Sequence, residues 1–139
     1  MVTWVLAQSS SPNGIHLLRL AQFEHEFSFR KFPERLHITW TYRSGANFAP
    51  SDADLQEMEE FENRLCERIE SASTAQLIAS FTEPSYREYI FHARDTKPFL
   101  KILNSLPNFG YKLPIEVSGE FDAEGMFYHS YAGTLIATS

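Results

Sequence analysis

The stretch from Tyr86 to Asp95 constrains the fold most, because its side chains alternate with the two-residue period of a β-strand. One face of this strand carries Tyr89, Phe91 and Ala93, and the other carries mostly Glu88, His92 and Arg94. Residues 75–82 are typical of a second strand, which the short connection 83–85 joins to the first. The sequence therefore predicts a β-hairpin with an apolar face and a polar face.

A long amphipathic helix is predicted to precede this hairpin. Ser51 is a favourable N-cap, and Asp54 three residues later completes a pair that resembles a capping box. The helix is expected to run to about Ser71, and its apolar residues recur at spacings of three and four. They are Leu55, Met58, Phe61, Leu65 and Ile69. The opposite face is rich in glutamate, and Glu60 and Arg64 are spaced to form an ion pair.

A second helix is predicted to follow the hairpin. It begins at Asp95 or Thr96, it holds Pro98 in its first turn, and it ends at the helix-breaking residues 107–110. Four further strands are expected, and the first two form an N-terminal hairpin. They cover residues 3–8, about 15–29, 36–43 and about 113–121. A loop at 44–47 separates the third of them from the first helix.

From residue 36 onward the predicted order is strand, helix, strand, strand, helix, strand. This order favours an α+β fold of the ferredoxin-like α/β sandwich type, in which an antiparallel sheet carries both helices on one face. The first and third strands of this core would be central. The N-terminal hairpin would extend the sheet or cover part of its open face. We expect a single domain over residues 1–139, with a hairpin extension at 1–31, a core at 32–121 and a C-terminal tail at 122–139, whose aromatic residues pack back onto the core.

Composition narrows the classes of function. A net charge of −6 disfavours a nucleic-acid surface, which requires a basic patch. No apolar run is long enough for a membrane span, and the N-terminus lacks the pattern of a signal peptide, so a soluble cytoplasmic protein is expected. The single cysteine, Cys66, cannot form an internal disulfide and is expected to be a buried small hydrophobe. No phosphate-binding loop or nucleophile motif is present, and no cofactor is expected.

Several segments resemble the bacterial family known as domain of unknown function 695. They are Phe32-Pro33 with Trp40, Tyr42, Gly45 and Pro50, then Arg87-Glu88-Tyr89-Ile90-Phe91, then Tyr111 to Glu116, and finally Asp122 to Tyr128. The resemblance spans about residues 14–131. The family is in turn similar in fold to the ribonuclease E inhibitor RraB, which acts by binding an enzyme. The resemblance therefore implies a bacterial protein with an inhibitor-like or regulatory role.

The open polar face of the predicted sheet is the candidate binding surface. Its residues are Thr39, Thr41, Glu88, His92, Arg94 and Glu116. We expect a non-catalytic protein that binds another protein there, and a homodimer through the same face is also plausible. Arg87 is expected to pair with an acidic residue near the strand ends, such as Asp95 or Asp122.

The alternative is a metal-dependent enzyme. His37, Glu88, His92 and Glu116 could share the open face, and two imidazoles with two carboxylates could hold Zn²⁺ or carry out acid–base chemistry. No HxxxH or HExxH spacing supports this hypothesis.

Overall fold

A computed structural model describes residues 2–42, 50–106 and 113–135 of the chain. The described residues form six strands and three α-helices, together with a short 3₁₀ helix at Phe29–Lys31. In chain order they are β1 (Val2–Ser11), β2 (Gly14–Phe23), β3 (Glu34–Thr41), α1 (Asp52–Ser71), β4 (Ala75–Thr82), β5 (Tyr86–Ala93), α2 (Thr96–Asn104), β6 (Ile115–Phe121) and α3 (Met126–Leu135). The predicted loop at 44–47 and the predicted helix stop at 107–110 lie outside the described residues.

The strands form one antiparallel sheet in the order β1-β2-β4-β5-β3-β6. The predicted α+β class and the β4–β5 hairpin are confirmed. The strand order differs from that of the predicted four-stranded sheet, because the N-terminal hairpin joins the sheet by pairing β2 with β4. Of the two predicted positions for this hairpin, extension of the sheet is therefore the one observed.

Helix α1 forms as its sequence predicts. The Asp54 backbone N–H donates to Ser51 Oγ at 3.1 Å, and the Asp54 side chain accepts from the Ser51 backbone, which completes a capping box. The predicted apolar stripe is buried from Met58 to Ile69. On the other side of the helix, Glu60 and Arg64 form the predicted ion pair.

The larger of two hydrophobic cores lies between one face of the sheet and helices α1 and α2. Phe61 packs between Trp40 of β3 and Tyr89 of β5, with ring centroids 5.2 Å and 5.7 Å away. The buried Tyr89 hydroxyl donates to the Met58 carbonyl at 3.1 Å. Burial raises the pKa of Tyr89 to about 12, so this hydroxyl keeps its proton and the hydrogen bond at physiological pH.

The second core lies on the opposite face of the sheet. Leu20, Ile78 and Ile90 pack there against Phe29 and against Tyr128 of α3. The Tyr128 hydroxyl donates to the Ala21 carbonyl at 2.6 Å, which ties α3 to β2. The C-terminal tail packs back onto the core as predicted, but it does so as a helix, and the sheet is covered by helices on both faces. No helix of the described ranges is both long and apolar enough to cross a bilayer.

The turn before α3 depends on Gly125. Its φ is +65°, in the left-handed region that residues with a side chain rarely adopt. A Cβ atom placed there would lie 2.5 Å from Cδ2 of the Phe29 ring. Glycine at this position therefore allows the chain to turn sharply against the second core.

Gly125→Ala is expected to lower the free energy of unfolding by about 2 kcal/mol or more, because it adds left-handed strain to a steric overlap with Phe29. Gly133→Ala is the matched control, since a Cβ atom at this α3 position meets nothing within 4 Å. Alanine there is expected to be neutral or to stabilise by up to about 1 kcal/mol. Urea unfolding of both variants measures the difference, and equal losses of stability would contradict this account of the turn.

Candidate functional site

The face of the sheet opposite α1 and α2, called here the polar face, holds most of the predicted site residues. Thr39 pairs directly with Glu88 of β5 and with Glu116 of β6, so these three side chains form one row across the sheet. His92 lies two rows away, opposite Arg35. The strand alternation therefore places these residues as the sequence predicted.

The prediction that this face is open is wrong, because α3 and the segment around Phe29 cover much of it. The Phe127 ring of α3 contacts His37, with centroids 5.5 Å apart, and lies 4.9 Å from the Arg35 guanidinium carbon. The Phe29 ring packs edge-on against His92 at 4.7 Å. His92 is 0% exposed and cannot contact a partner protein.

The remaining predicted binding residues are spread apart. Glu116 and Thr41 are exposed, whereas Thr39 and Glu88 are half-buried. Arg94 lies beyond the end of β5, where it donates to the Ser73 carbonyl and stacks over Phe32. These residues do not form one continuous exposed surface.

His92 occupies an unusual buried environment. Its Nδ1 lies 2.8 Å from the Phe32 carbonyl oxygen, which can only accept, so Nδ1 carries a proton and donates. Its Nε2 has no hydrogen-bond partner and lies 3.8 Å from Asp122 Oδ2. Burial lowers the pKa of His92 and outweighs the opposing effects of the Phe32 carbonyl and Asp122, so the imidazole is neutral near pH 7.

Asp122 links α3 to the sheet. Its carboxylate accepts hydrogen bonds from the backbone N–H groups of Met126 (2.8 Å) and Phe127 (3.2 Å) and from Arg35 Nη1 (2.7 Å). Burial by itself would raise the pKa of Asp122, but the three donors outweigh it and the pKa is lowered. The carboxylate therefore remains charged and holds the first turn of α3 against β3. The pairing of Arg87 with Asp122 predicted from sequence is wrong, because Arg35 takes that position.

A continuous chain of polar contacts, called here the polar network, comprises Glu88, His37, Arg35, Asp122 and Glu120. A guanidinium only donates, so His37 Nε2 accepts from Arg35 Nε at 2.9 Å. His37 Nδ1 must then carry the proton, which it shares with Glu88 Oε2 at 3.1 Å. Arg35 also pairs with Glu120. Because both His37 nitrogens are engaged within the protein, this histidine has no free nitrogen for a substrate.

The hypothetical metal site is not formed. Among the residues that the structure describes, no three His, Cys, Asp or Glu side chains are placed to hold one metal ion. His37 is bound to Glu88 and Arg35, whereas Nδ1 of His92 is bound to the Phe32 carbonyl. The four predicted ligands therefore do not converge. Cys66 is also unsuited to nucleophilic chemistry, since burial, together with Glu62 and Glu70, raises the pKa of its thiol to about 12.

The sheet ends in an exposed edge at β6, which the sequence analysis did not single out. The N–H of Thr41 donates to the Pro114 carbonyl, and the N–H of Asp122 donates to the Pro33 carbonyl. Both contacts fall in the β3–β6 register, and hydrogen-bonded pairs alternate along an antiparallel ladder. The backbone groups of 116, 118 and 120 therefore face β3, and those of Val117, Gly119 and Phe121 face outward.

Two of these outward-facing positions also carry exposed apolar side chains. Phe121 is 71% exposed, and Val117 is exposed on the same side of the strand. Within the described part of the chain, no strand pairs with this edge. Unpaired backbone groups next to apolar side chains are what a second strand requires for docking.

Comparison with known proteins places the chain in a family. The model of a family described as a family of unknown function, DUF695, matches residues 13–132. Neither a curated protein nor a solved structure matches the chain.

The buried neutral state of His92 predicts a loss of stability in mild acid. Its folded-state pKa is lowered, so the unfolded chain takes up the proton first as pH falls below about 6.5. The free energy of unfolding should therefore fall between pH 7 and pH 5, by at most about 1.4 kcal/mol per pH unit for this proton. Folding also lowers the pKa of Asp122, so this carboxylate stabilises the folded protein as long as it is charged. That stabilisation is lost only as the pH falls below about 3.9, the pKa of an aspartate in the unfolded chain.

His92→Gln removes this proton while keeping a donor for the Phe32 carbonyl, and it is expected to flatten the pH dependence between pH 7 and 5. His25→Gln, at an exposed histidine, is the control and should keep the wild-type slope. Urea unfolding at several pH values measures these slopes. An unchanged slope in the His92 variant would show that this histidine is not the group responsible.

Proposed function

We infer from this geometry that the chain, which belongs to the DUF695 family of unknown function, is a non-catalytic module that binds another protein. The observation that carries this proposal is the exposed edge of β6. Its outward-facing backbone at Val117, Gly119 and Phe121 is available to a strand of a partner, which would extend the sheet by β-augmentation. The proposed surface keeps Glu116 from the predicted site and replaces the covered centre of the polar face.

The polar network supports binding rather than catalysis. Its only adjacent acid–base pair is His37 with Glu88, and the second nitrogen of His37 accepts from Arg35. The network's other members hold α3 in place through Asp122. These contacts support the fold and leave no free acid–base group in the network, whereas the outer side of β6 keeps unpaired backbone N–H and C=O groups.

The charges beside the edge favour a particular kind of partner. Glu116 and Glu120 point to the polar-face side of β6 and are exposed, whereas Val117 and Phe121 point to the other side. A strand that alternates basic and apolar side chains would match both sides, since cross-strand pairs of opposite charge stabilise and like charges repel. The proposed partner is therefore a protein that offers such a strand.

A second copy of this chain fits less well. Antiparallel self-pairing centred on Ser118 would place Glu116 opposite Glu120 of the other copy, twice, and the net charge of −6 adds repulsion. A register centred on Gly119 avoids this contact by pairing Val117 with Phe121. A homodimer is therefore the alternative outcome of the test.

The fold type and the regulatory role that we propose follow from the resemblance to the DUF695 family. We propose a ferredoxin-like core, and the position of β3 and β5 between β4 and β6 supports it. We also propose distant kinship with the inhibitor RraB and a regulatory, inhibitor-like role in the cytoplasm of a bacterial cell. Under this proposal the partner would be an enzyme or another protein whose activity changes when its strand is bound.

Val117→Pro tests the proposal, because proline removes an outward-facing N–H without breaking the ladder to β3. Affinity capture from the native host's lysate is expected to retain a specific protein with the wild type and lose it with the proline variant. Val117→Ala, which keeps the N–H, is the matched control and should retain the same protein. Circular dichroism melting confirms that all three baits are folded.

Two results would contradict the proposal. One is the same retained protein for the wild type and the proline variant, and the other is no specific protein with any bait. Light scattering after size-exclusion chromatography then measures the molar mass, and so the oligomeric state, of the wild type and of Val117→Pro. A wild-type dimer that becomes a monomer in Val117→Pro would show that the edge binds a second copy instead of another protein.

A further inference from the structure

A cavity of about 420 Å³ lies at the opposite end of the sheet from β6, beside the N-terminal hairpin. Its floor is made by two neighbouring cross-strand rows on the face that α1 covers. Leu6, Arg19 and Ser80 lie in one row, and Leu17, Thr82 and Arg87 lie in the other. A volume of this size is typical of small-molecule sites.

The cavity carries a positive charge because only one of its two arginines forms an ion pair with a carboxylate. Arg19 pairs with Glu62 of α1 at 2.6 Å and donates to Ser80 Oγ at 3.0 Å. Arg87 donates through Nε to Thr82 Oγ1 at 2.8 Å and also interacts with the Tyr89 side chain, but no ion pair joins it to a carboxylate of the described residues. A half-buried guanidinium without a carboxylate is a site for an anion.

Two hydroxyl groups on the floor of the cavity can donate hydrogen bonds to an anion beside Arg87. Ser80 Oγ and Thr82 Oγ1 each accept a hydrogen bond from an arginine, so each hydroxyl keeps its own proton to donate. Both residues are buried. An anion next to Arg87 would therefore find the remaining N–H groups of the guanidinium together with an oriented O–H donor.

The wall above the floor is apolar. Leu6 is 73% exposed and Leu17 is also exposed, because the hairpin extends the sheet beyond the cover of α1. Exposed leucines beside an uncompensated cation fit a ligand with an aliphatic chain and a single negative charge. The planar fork of one arginine matches a carboxylate, and a monoanion suits a protein whose net charge is −6.

We propose that this cavity binds a free aliphatic carboxylate of medium chain length. The head group accepts hydrogen bonds from Arg87 and from the hydroxyl of Thr82, and the chain lies against Leu6 and Leu17. This site is independent of the β6 edge, since the two lie at opposite ends of the sheet. Its success or failure therefore leaves the proposed protein-binding function to its own test.

Titration with decanoate below its micelle concentration tests the site, with isothermal calorimetry for affinity and amide chemical shifts of β2 and β4 for location. The wild type is expected to bind one decanoate per chain, and 1-decanol and acetate should each bind about tenfold or more weakly, because they lack the head group or the chain. Arg87→Gln should weaken decanoate binding by about tenfold or more.

Two further variants keep this result interpretable. Leu6→Ser, at an exposed position that does not endanger the fold, should weaken decanoate binding about fivefold. Arg94→Gln removes an arginine far from the cavity and should leave binding unchanged. The proposal is overturned if the wild type shows no saturable binding, if decanol binds as tightly as decanoate, or if the Arg87 and Arg94 variants bind equally well.

Discussion

The hydrogen-bonded ion pair between Arg35 and Asp122 is the interaction on which the rest of the structure depends. The Asp122 side chain is 5% exposed, so its charge requires partners, and Arg35 and two N–H groups of α3 provide them. One carboxylate thus joins β3 to the first turn of α3. Glu120 binds the same guanidinium but is 72% exposed, and water competes for it. The burial of Asp122 therefore decides that α3 lies on the sheet, and α3 in turn closes the polar face over His92.

Because that face is covered, the surfaces accessible to a binding partner lie at the two ends of the sheet. The centre is filled by the polar network and by aromatic rings of α3 and the 3₁₀ helix. The two ends of the sheet remain accessible and differ chemically. At β6 the available groups are backbone N–H and C=O groups flanked by Val117 and Phe121, which suits a strand. At the other end the outer side of β1 is also unpaired within the described residues, and the face of the hairpin adds Arg87 and two exposed leucines, which suit a small amphipathic anion.

Local patterns in the sequence were sufficient for much of the fold. The capping box at Ser51, the apolar stripe of α1 and the alternation in β5 correctly predicted those elements, because neighbouring residues alone determine them. Helix α3 was missed although Tyr128, Tyr131 and Leu135 recur at helical spacings, because the segment is rich in aromatic, glycine, serine and threonine residues of low helix propensity. The candidate site was harder to predict because its central pair joins residues 87 positions apart. Nothing near Asp122 in the sequence indicates that Arg35 is its partner, so the polar face was expected to be open.

Hydrogen exchange of the α3 amides in Asp122→Asn tests most directly whether this one carboxylate holds α3 on the sheet. Glu120→Gln is the matched control, because it alters the exposed carboxylate on the same arginine. The account predicts that α3 amides exchange about tenfold or more faster in Asp122→Asn, while those of β3 and β5 stay protected and Glu120→Gln behaves as wild type. Unchanged protection of α3 in Asp122→Asn, or equal effects of the two substitutions, would contradict it.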